Sequence, residues 1–214
     1  MKNTALTLAL LTFGIAINLH GQSTQVEFFK SLDKTTFNLF SSHNLNDAKS
    51  LNLSILGFFE NYSSNENQDF SEAGVQPTLF WNFSKSFSIG PSIYYNSISG
   101  LSQRISAKYV SKKERLLIVL IPTIGHYQQE EKIYAEIVAQ FQINVPIKES
   151  ISFWVDGQFL FVWDAFKTHS RSFQQLRTGI SLKRHQFGVG LDLDRYGPQA
   201  SSTNNIGIYY RSIF

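Results

Sequence analysis

Eight charged side chains recur at even spacings along segments in which polar and apolar residues alternate. Arg104 and Lys108 are four residues apart, and Asp192 and Asp194 are two apart. In a β-strand an even spacing places both side chains on one face. Such a face can hold ion pairs, or it can use neighbouring carboxylates for acid–base chemistry. The charges that the alternation places on this common face are Arg104, Lys108, Glu136, Asp156, Arg177, Asp192, Asp194 and Arg211.

The other residue types that carry chemistry are sparse. His43, His126 and His169 are too scattered along the chain to predict a metal site, and there is no cysteine for a disulfide or a thiolate ligand. The sequence also has no glycine-rich phosphate loop and no dinucleotide fingerprint. We therefore predict neither a cofactor nor a metal. A formal net charge of +3 is too small to indicate nucleic-acid binding.

Ten segments with a period of two predict the strands that position these charges. In 131–145 the odd positions from 133 onwards are apolar, whereas Glu136, Gln140 and Gln142 occupy even positions. This alternation is typical of a strand with one apolar face, and the segments are far longer than the average of about five or six residues in soluble sheets. The predicted strands are 49–61, 73–83, 86–97, 100–110, 115–126, 131–145, 150–163, 171–183, 185–194 and 204–214.

The first 21 residues have the pattern of a secretory signal peptide. Lys2 supplies the positive start, and the apolar stretch from Ala5 to Leu19 is shorter than the ~20 residues of a membrane-spanning helix. We predict cleavage near Gly21, with an uncleaved anchor as the alternative. We interpret residues 22–47 as a periplasmic lead-in, in which Gln25–Lys34 is a candidate short amphipathic helix and Thr35–Ser42, which alternates weakly, is a candidate strand.

Composition and strand pattern together predict an all-β protein. Aromatic residues make up 14% of the chain and charged residues 16%, which suits a lipid-facing band with aromatic rims. We predict a closed antiparallel transmembrane β-barrel of ten strands over 48–214. Eight strands are the alternative if one segment is a loop, and twelve if the lead-in contributes a pair. A soluble secreted sandwich or lipocalin-like barrel is the remaining alternative, because its sheets also alternate.

The signal peptide, the alternating segments and the terminal Tyr209-Tyr210-Arg211-Ser212-Ile213-Phe214 resemble the small outer-membrane β-barrels of Gram-negative bacteria. The Phe- and Asn-rich style resembles uncharacterised barrels from Bacteroidota. The resemblance implies a location in the cell outer membrane and contact with its lipids and lipopolysaccharide. It also implies insertion by the barrel assembly machinery, which is understood to read a terminal aromatic residue such as Phe214. It is silent on activity, because barrels of this class serve as enzymes, pores, adhesins and scaffolds.

The catalytic sets of enzymatic barrels are matched poorly. Barrel lipid deacylases carry a His-x-Ser pair, but Arg171 stands two residues after His169, and the adjacent Ser170 faces the other way in a strand. Omptin-like proteases use paired acids, and Asp192 with Asp194 is a weak match. The sequence leaves enzymatic activity undecided and favours its absence.

The functional expectation follows from the balanced charges. Four positive and four negative side chains in one lumen predict an ion-pair network that plugs the lumen. A plugged barrel is expected to be a structural or accessory component of the cell envelope, within a protein complex or alone. A narrow pore or small-ligand transporter is the first alternative, because Gly188, Gly190 and Gly207 face the lumen and would leave volume. An outer-leaflet lipid-modifying enzyme or protease is the second.

Overall fold

The computed structural model describes residues 23–64, 67–199 and 201–214. In this part of the chain, twelve antiparallel strands form a closed barrel in which each strand pairs with its neighbours in sequence and the first pairs with the last. A 3₁₀ helix spans Gln68–Phe70. The strands are β1 Thr24–Ser31, β2 Lys34–Asn44, β3 Leu51–Tyr62, β4 Glu72–Asn82, β5 Phe87–Asn96, β6 Gly100–Lys113, β7 Leu116–Tyr127, β8 Lys132–Lys148, β9 Ile151–Asp164, β10 Thr168–Leu182, β11 His185–Tyr196 and β12 Ser201–Ile213.

The prediction of ten strands is wrong, because residues 24–44 form a strand pair. The segment interpreted as a lead-in with a short helix contains β1 and β2, whereas β3–β12 each overlap one predicted strand. A helix there would leave β12 with an unpaired edge, and unpaired backbone groups cannot face hydrocarbon. Closure therefore overrides the weak local pattern: β1 pairs with β12 from Gln25↔Ile213 to Ser31↔Gly207. The predicted signal peptide lies outside the described residues.

The barrel has two distinct ends. The terminal end carries Ser23, Phe214 and the connections 45–50, 83–86, 114–115, 149–150 and 183–184. The loop end carries the connections 32–33, 63–71, 97–99, 128–131, 165–167 and 197–200. Because the strand number is even, the beginning of β1 and the end of β12 meet at one end, where the backbone N–H of Phe214 donates to the carbonyl oxygen of Thr24 at 2.8 Å.

The outward face of the barrel is apolar and exposed. On β12, Ile206 and Ile208 leave 75% and 68% of their surface uncovered. A continuous band of such side chains would aggregate in water but suits the hydrocarbon core of a bilayer. At the terminal end four aromatic rings form a row, with centroids 5.9 Å apart for Trp81 and Phe83, 6.3 Å for Phe83 and Phe87, and 4.9 Å for Phe87 and Tyr109. Such a row is typical of a membrane interface.

No helix among the described residues is long and apolar enough to cross a membrane.

Candidate functional site: the charged lumen

The inward face of the barrel is lined by polar and charged side chains. Alternation along β11 turns Gln186, Asp192 and Asp194 inward, and Lys34 begins β2 with the same orientation as the buried Thr36. Lys34 and Asp192 have no exposed surface, and Asp194 is 1% exposed. Charges buried this completely must be paired, because an unpaired buried charge costs several kcal/mol.

Lys34 contacts three carboxylates: Glu60 on the neighbouring strand β3, and two aspartates that lie beyond two intervening strands. Its Nζ lies 3.0 Å from Asp194, 3.1 Å from Glu60 and 3.3 Å from Asp192. Both aspartates belong to β11, which β1 and β12 separate from β2. These contacts therefore bridge the lumen and do not simply follow its wall.

Arg171 spans the full width of the barrel. It lies on β10 and pairs with Glu72 on β4, six strands away in a ring of twelve described strands and thus on the opposite wall. The same guanidinium lies 3.5 Å from Asp194 and 3.6 Å from Glu60. Asn96 donates to the other oxygen of Glu72 at 2.7 Å. This layer of contacts closes the lumen at the level of Arg171.

Two further arginines continue the network towards the terminal end. Arg177 donates to Asp192 at 2.6 Å and to Glu27 at 3.1 Å. Arg211 donates to Glu27 at 2.5 Å and to Asp156 at 2.8 Å. Because Asp192 contacts both Lys34 and Arg177, all these pairs belong to one charge network. Its members are Glu27, Lys34, Glu60, Glu72, Asp156, Arg171, Arg177, Asp192, Asp194 and Arg211.

Aromatic side chains cover the network at the loop end. Phe70, in the 3₁₀ helix of the β3–β4 connection, stacks on Tyr196 with ring centroids 4.4 Å apart. Arg171 donates to the hydroxyl of Tyr196 at 3.3 Å. The hydroxyl of Tyr62 donates to Asp194 at 3.4 Å. The aromatic layer and the charge network therefore close the same end of the lumen.

Two more cations lie apart from the charge network. Arg104 pairs with Glu136 at 3.3 Å and stacks on the ring of Tyr94 at 3.8 Å. Lys108 places its Nζ 3.9 Å from the ring centroid of Phe80. Among the described residues no carboxylate lies within ion-pair distance of Lys108.

The terminal half of the lumen contains a cavity of about 450 Å³. Its lining reaches Ser23, Gln25 and Ile213 at the rim of the terminal end and ends at Arg177 and Arg211 of the charge network. Residues of the closing layer, such as Arg171 and Asp194, are not part of the lining. The lumen is thus closed in its loop half and hollow in its terminal half.

All eight charges singled out from the sequence lie inside the barrel. The structure joins Arg104 to Glu136, Arg177 to Asp192 and Arg211 to Asp156, whereas Asp194 pairs with two cations that sequence reasoning missed. Lys108 joins none of these pairs. The additional lumen charges are Glu27, Lys34, Glu60, Glu72 and Arg171.

Four of the five missed charges have identifiable causes. Glu27 and Lys34 fall in the segment interpreted as a lead-in, and Glu72 stands one residue before the predicted strand 73–83 although it begins β4. Arg171 stands six residues before Arg177, and this even spacing already indicates a shared face. The expected free volume at Gly190 is also taken, since an added Cβ would lie 2.9 Å from side-chain atoms of Arg177 and Phe29.

The structure does not assemble the catalytic sets considered from the sequence. The ring Nδ1 of His169 lies 3.0 Å from the backbone carbonyl oxygen of Gly197, and Asp192 and Asp194 both bind cations of the charge network. Within the described ranges there is no group of three or more His, Cys, Asp or Glu side chains that could hold a metal.

Comparisons with known proteins agree on the fold. No family model and no curated protein matches the chain. Among solved structures, the KdgM porin in complex with disordered oligogalacturonate is similar with a TM-score of 0.53 and 11% identity, over 90% of this chain and 99% of that one. An outer-membrane channel from Pseudomonas putida F1 is similar with a TM-score of 0.50 and 11% identity, over 91% of this chain and 96% of that one.

The protein is an outer-membrane β-barrel. Over the described residues the closed sheet leaves no unpaired edge, its outer band is apolar, and its fold is similar to that of the two outer-membrane structures. The two likenesses concern the fold, which hosts many functions.

Proposed function

We propose that the protein is a non-conducting outer-membrane barrel in which the charge network plugs the loop half of the lumen. It acts as a structural or accessory component of the cell envelope. The observation that carries this proposal is the contact of Arg171 with Glu72 on the opposite wall of the lumen. Beside this contact lie Lys34, Asp192 and Asp194, whose surfaces are at most 1% exposed. In an open, water-filled channel these side chains would be hydrated.

The composition of the plug also favours a fixed structure. Each of its four cations contacts at least two carboxylates, so no cation depends on a single partner. Ions in a low-dielectric interior are held strongly when paired. A transported ion would have to separate several pairs at once, which argues against conduction at rest.

The orientation and partners of the barrel form part of the proposal. Bacterial barrels keep short turns in the periplasm. Three of the five connections at the terminal end have two residues (114–115, 149–150 and 183–184), against one of the six at the loop end (32–33), so the terminal end faces the periplasm. Phe214 at this end would be read by the assembly machinery. The loop end would then lie among lipopolysaccharide, and either end is available to an envelope complex.

Planar-bilayer recordings test the plug. We expect no steady conductance from the wild-type barrel and an open level in Arg171→Gln, because the contact across the full diameter is lost. Arg195→Gln is the matched control, since Arg195 is an exposed loop-end arginine of β11, and it should stay closed. Steady conductance of the wild-type protein would overturn the proposal.

A narrow pore or small-ligand transporter is the second candidate. The cavity of about 450 Å³ favours this candidate, because it keeps the terminal half of the lumen open and only the loop half is closed. The two similar structures are a porin and an outer-membrane channel. Liposome swelling in small sugars and amino acids tests it. Solute entry through the wild-type barrel would favour this candidate over the closed one. A lipid-modifying enzyme or protease is favoured by no contact among the described residues.

A further inference from the structure

The hollow terminal half of the lumen has one apolar wall. Val110 faces Val119 across β6 and β7, and Ile121 faces Val138 across β7 and β8. These four side chains and Leu117 line the cavity. Lumens of outer-membrane barrels are polar as a rule, so a continuous aliphatic surface inside the barrel calls for an apolar occupant.

A second apolar surface lies on other strands of the same cavity. Phe40 and Leu56 are direct cross-strand partners on β2 and β3, and both line the cavity. They remain 41% and 38% exposed although they point into the barrel. Protein atoms therefore do not fill the space between the two apolar surfaces, and covering them would be favourable by the hydrophobic effect.

One cation at the edge of the apolar wall has no counterion among the described residues. Lys108 precedes Val110 by two residues on the same face of β6, and its Nζ contacts the ring of Phe80. The carboxylates that line the cavity are already paired with arginines: Glu136 with Arg104, and Glu27 and Asp156 with Arg211. In the described part of the chain Lys108 is thus the lumen cation that an incoming anion can neutralise.

We propose that this cavity binds a single-chain anionic amphiphile, with its tail along the apolar wall and its head group on Lys108. A carboxylate of the fatty-acid type has this chemistry. The volume of about 450 Å³ lies within the range of about 300–1,000 Å³ typical of small-molecule sites. Because the charge network closes the loop half, the ligand enters at the rim formed by Ser23, Gln25 and Ile213. This site goes beyond the proposed plug and does not depend on whether the plug conducts.

Trp154 provides a reporter inside the cavity. It lines the cavity and its indole N–H donates to Asp156, whereas Trp81 and Trp163, the other two tryptophans, lie outward on their strands. A W81F/W163F barrel in lipid nanodiscs therefore fluoresces only from the lumen. The probe is dodecanoate brominated on its tail, which quenches indole on contact. We expect saturable quenching by this probe and much weaker quenching by the matching brominated dodecyltrimethylammonium.

Two variants separate the head-group contact from the tail contact. Lys108→Gln should weaken the apparent affinity for the carboxylate about tenfold, as expected for loss of a charge-assisted contact, while leaving brominated dodecanol unchanged. Val119→Asn should weaken both probes. Lys113→Gln is the matched control, since Lys113 is exposed and lies five residues further along β6, which turns it to the opposite face from Lys108, and it should bind as the wild type does.

The outcomes are decisive in both directions. Cold and boiled samples on SDS gels establish that each variant is a folded barrel. Carboxylate quenching that depends on Lys108 but not on Lys113 supports the site. No saturable quenching of Trp154, equal quenching by the cationic probe, or an unchanged affinity in Lys108→Gln would overturn it. Bilayer conductance of the same samples reports on the plug separately, so failure of one proposal does not imply failure of the other.

Discussion

Replacing Lys34 by Met should destabilise the barrel more than any single change on its outer face. The lysine has no exposed surface, and its Nζ lies 3.0–3.3 Å from three carboxylates. Met fills a similar volume, so the change removes charge and hydrogen bonds but largely keeps the packing. The free energy lost therefore reports on the electrostatics of the charge network.

The size of the destabilisation depends on which cations still contact the three carboxylates after Lys34 is replaced. Breaking a buried ion pair by removing one partner costs about 3–5 kcal/mol, because the other charge stays buried. After the change Asp192 keeps Arg177 at 2.6 Å, and Asp194 and Glu60 keep Arg171 at 3.5 and 3.6 Å. The remaining pairs limit the loss but do not remove it. We expect about 4 kcal/mol in the free energy of unfolding.

Reversible urea unfolding of the barrel from lipid vesicles measures this quantity. Lys30→Met on β1 is the matched control, since Lys30 is exposed and bonds only Thr35 among the described residues. We expect a change within about 1 kcal/mol there. The double variant Lys34→Met/Glu60→Gln should recover part of the loss, because one carboxylate no longer needs a cation. Equal effects of Lys34→Met and Lys30→Met would refute the reasoning.

Two further predictions concern the ends of the barrel. Asn67 donates to Asp33 at 2.7 Å and, with the Ser64 amide at 2.7 Å, lowers the pKa of Asp33. These hydrogen bonds connect two loop-end connections. They should be fully formed above the ordinary pKa of an aspartate and be lost only as the pH falls through the lowered pKa of Asp33. The protection of the Ser64 amide from hydrogen exchange should follow this loss, and Asp33→Asn should abolish the pH dependence of that protection. Phe214→Ala should reduce the folded barrel in outer-membrane fractions while leaving refolding in vitro intact. Phe83→Ala, which also removes an exposed aromatic side chain at the terminal end, should leave the amount of folded barrel in these fractions unchanged. An equal decrease in both variants would contradict a specific role of Phe214.

Local alternation explains why most of the barrel is predictable. The predicted bounds of β3–β12 differ from those in the structure by three residues or fewer, because a strand between lipid and a polar lumen must alternate with a period of two. The first strand breaks this rule. Its adjacent Phe28 and Phe29 point to opposite faces, and Phe29 turns inward to lie under the guanidinium of Arg177 at 4.3 Å. Because an apolar residue faces the lumen here, β1 does not show the alternation of polar and apolar residues that identifies the other strands.

The sequence by itself placed eight charges on a common strand face, since parity along a strand is a local property, but it missed five others that the barrel turns inward. It did not determine their partners. Lys34 meets Asp194 across 160 residues of chain, and Arg171 meets Glu72 across 99. These distances depend on closure of the twelve strands and on the stagger between them, which no short segment encodes. For the same reason, only the tertiary structure decided that Lys108 has no carboxylate partner in the described ranges and that half of the lumen is hollow.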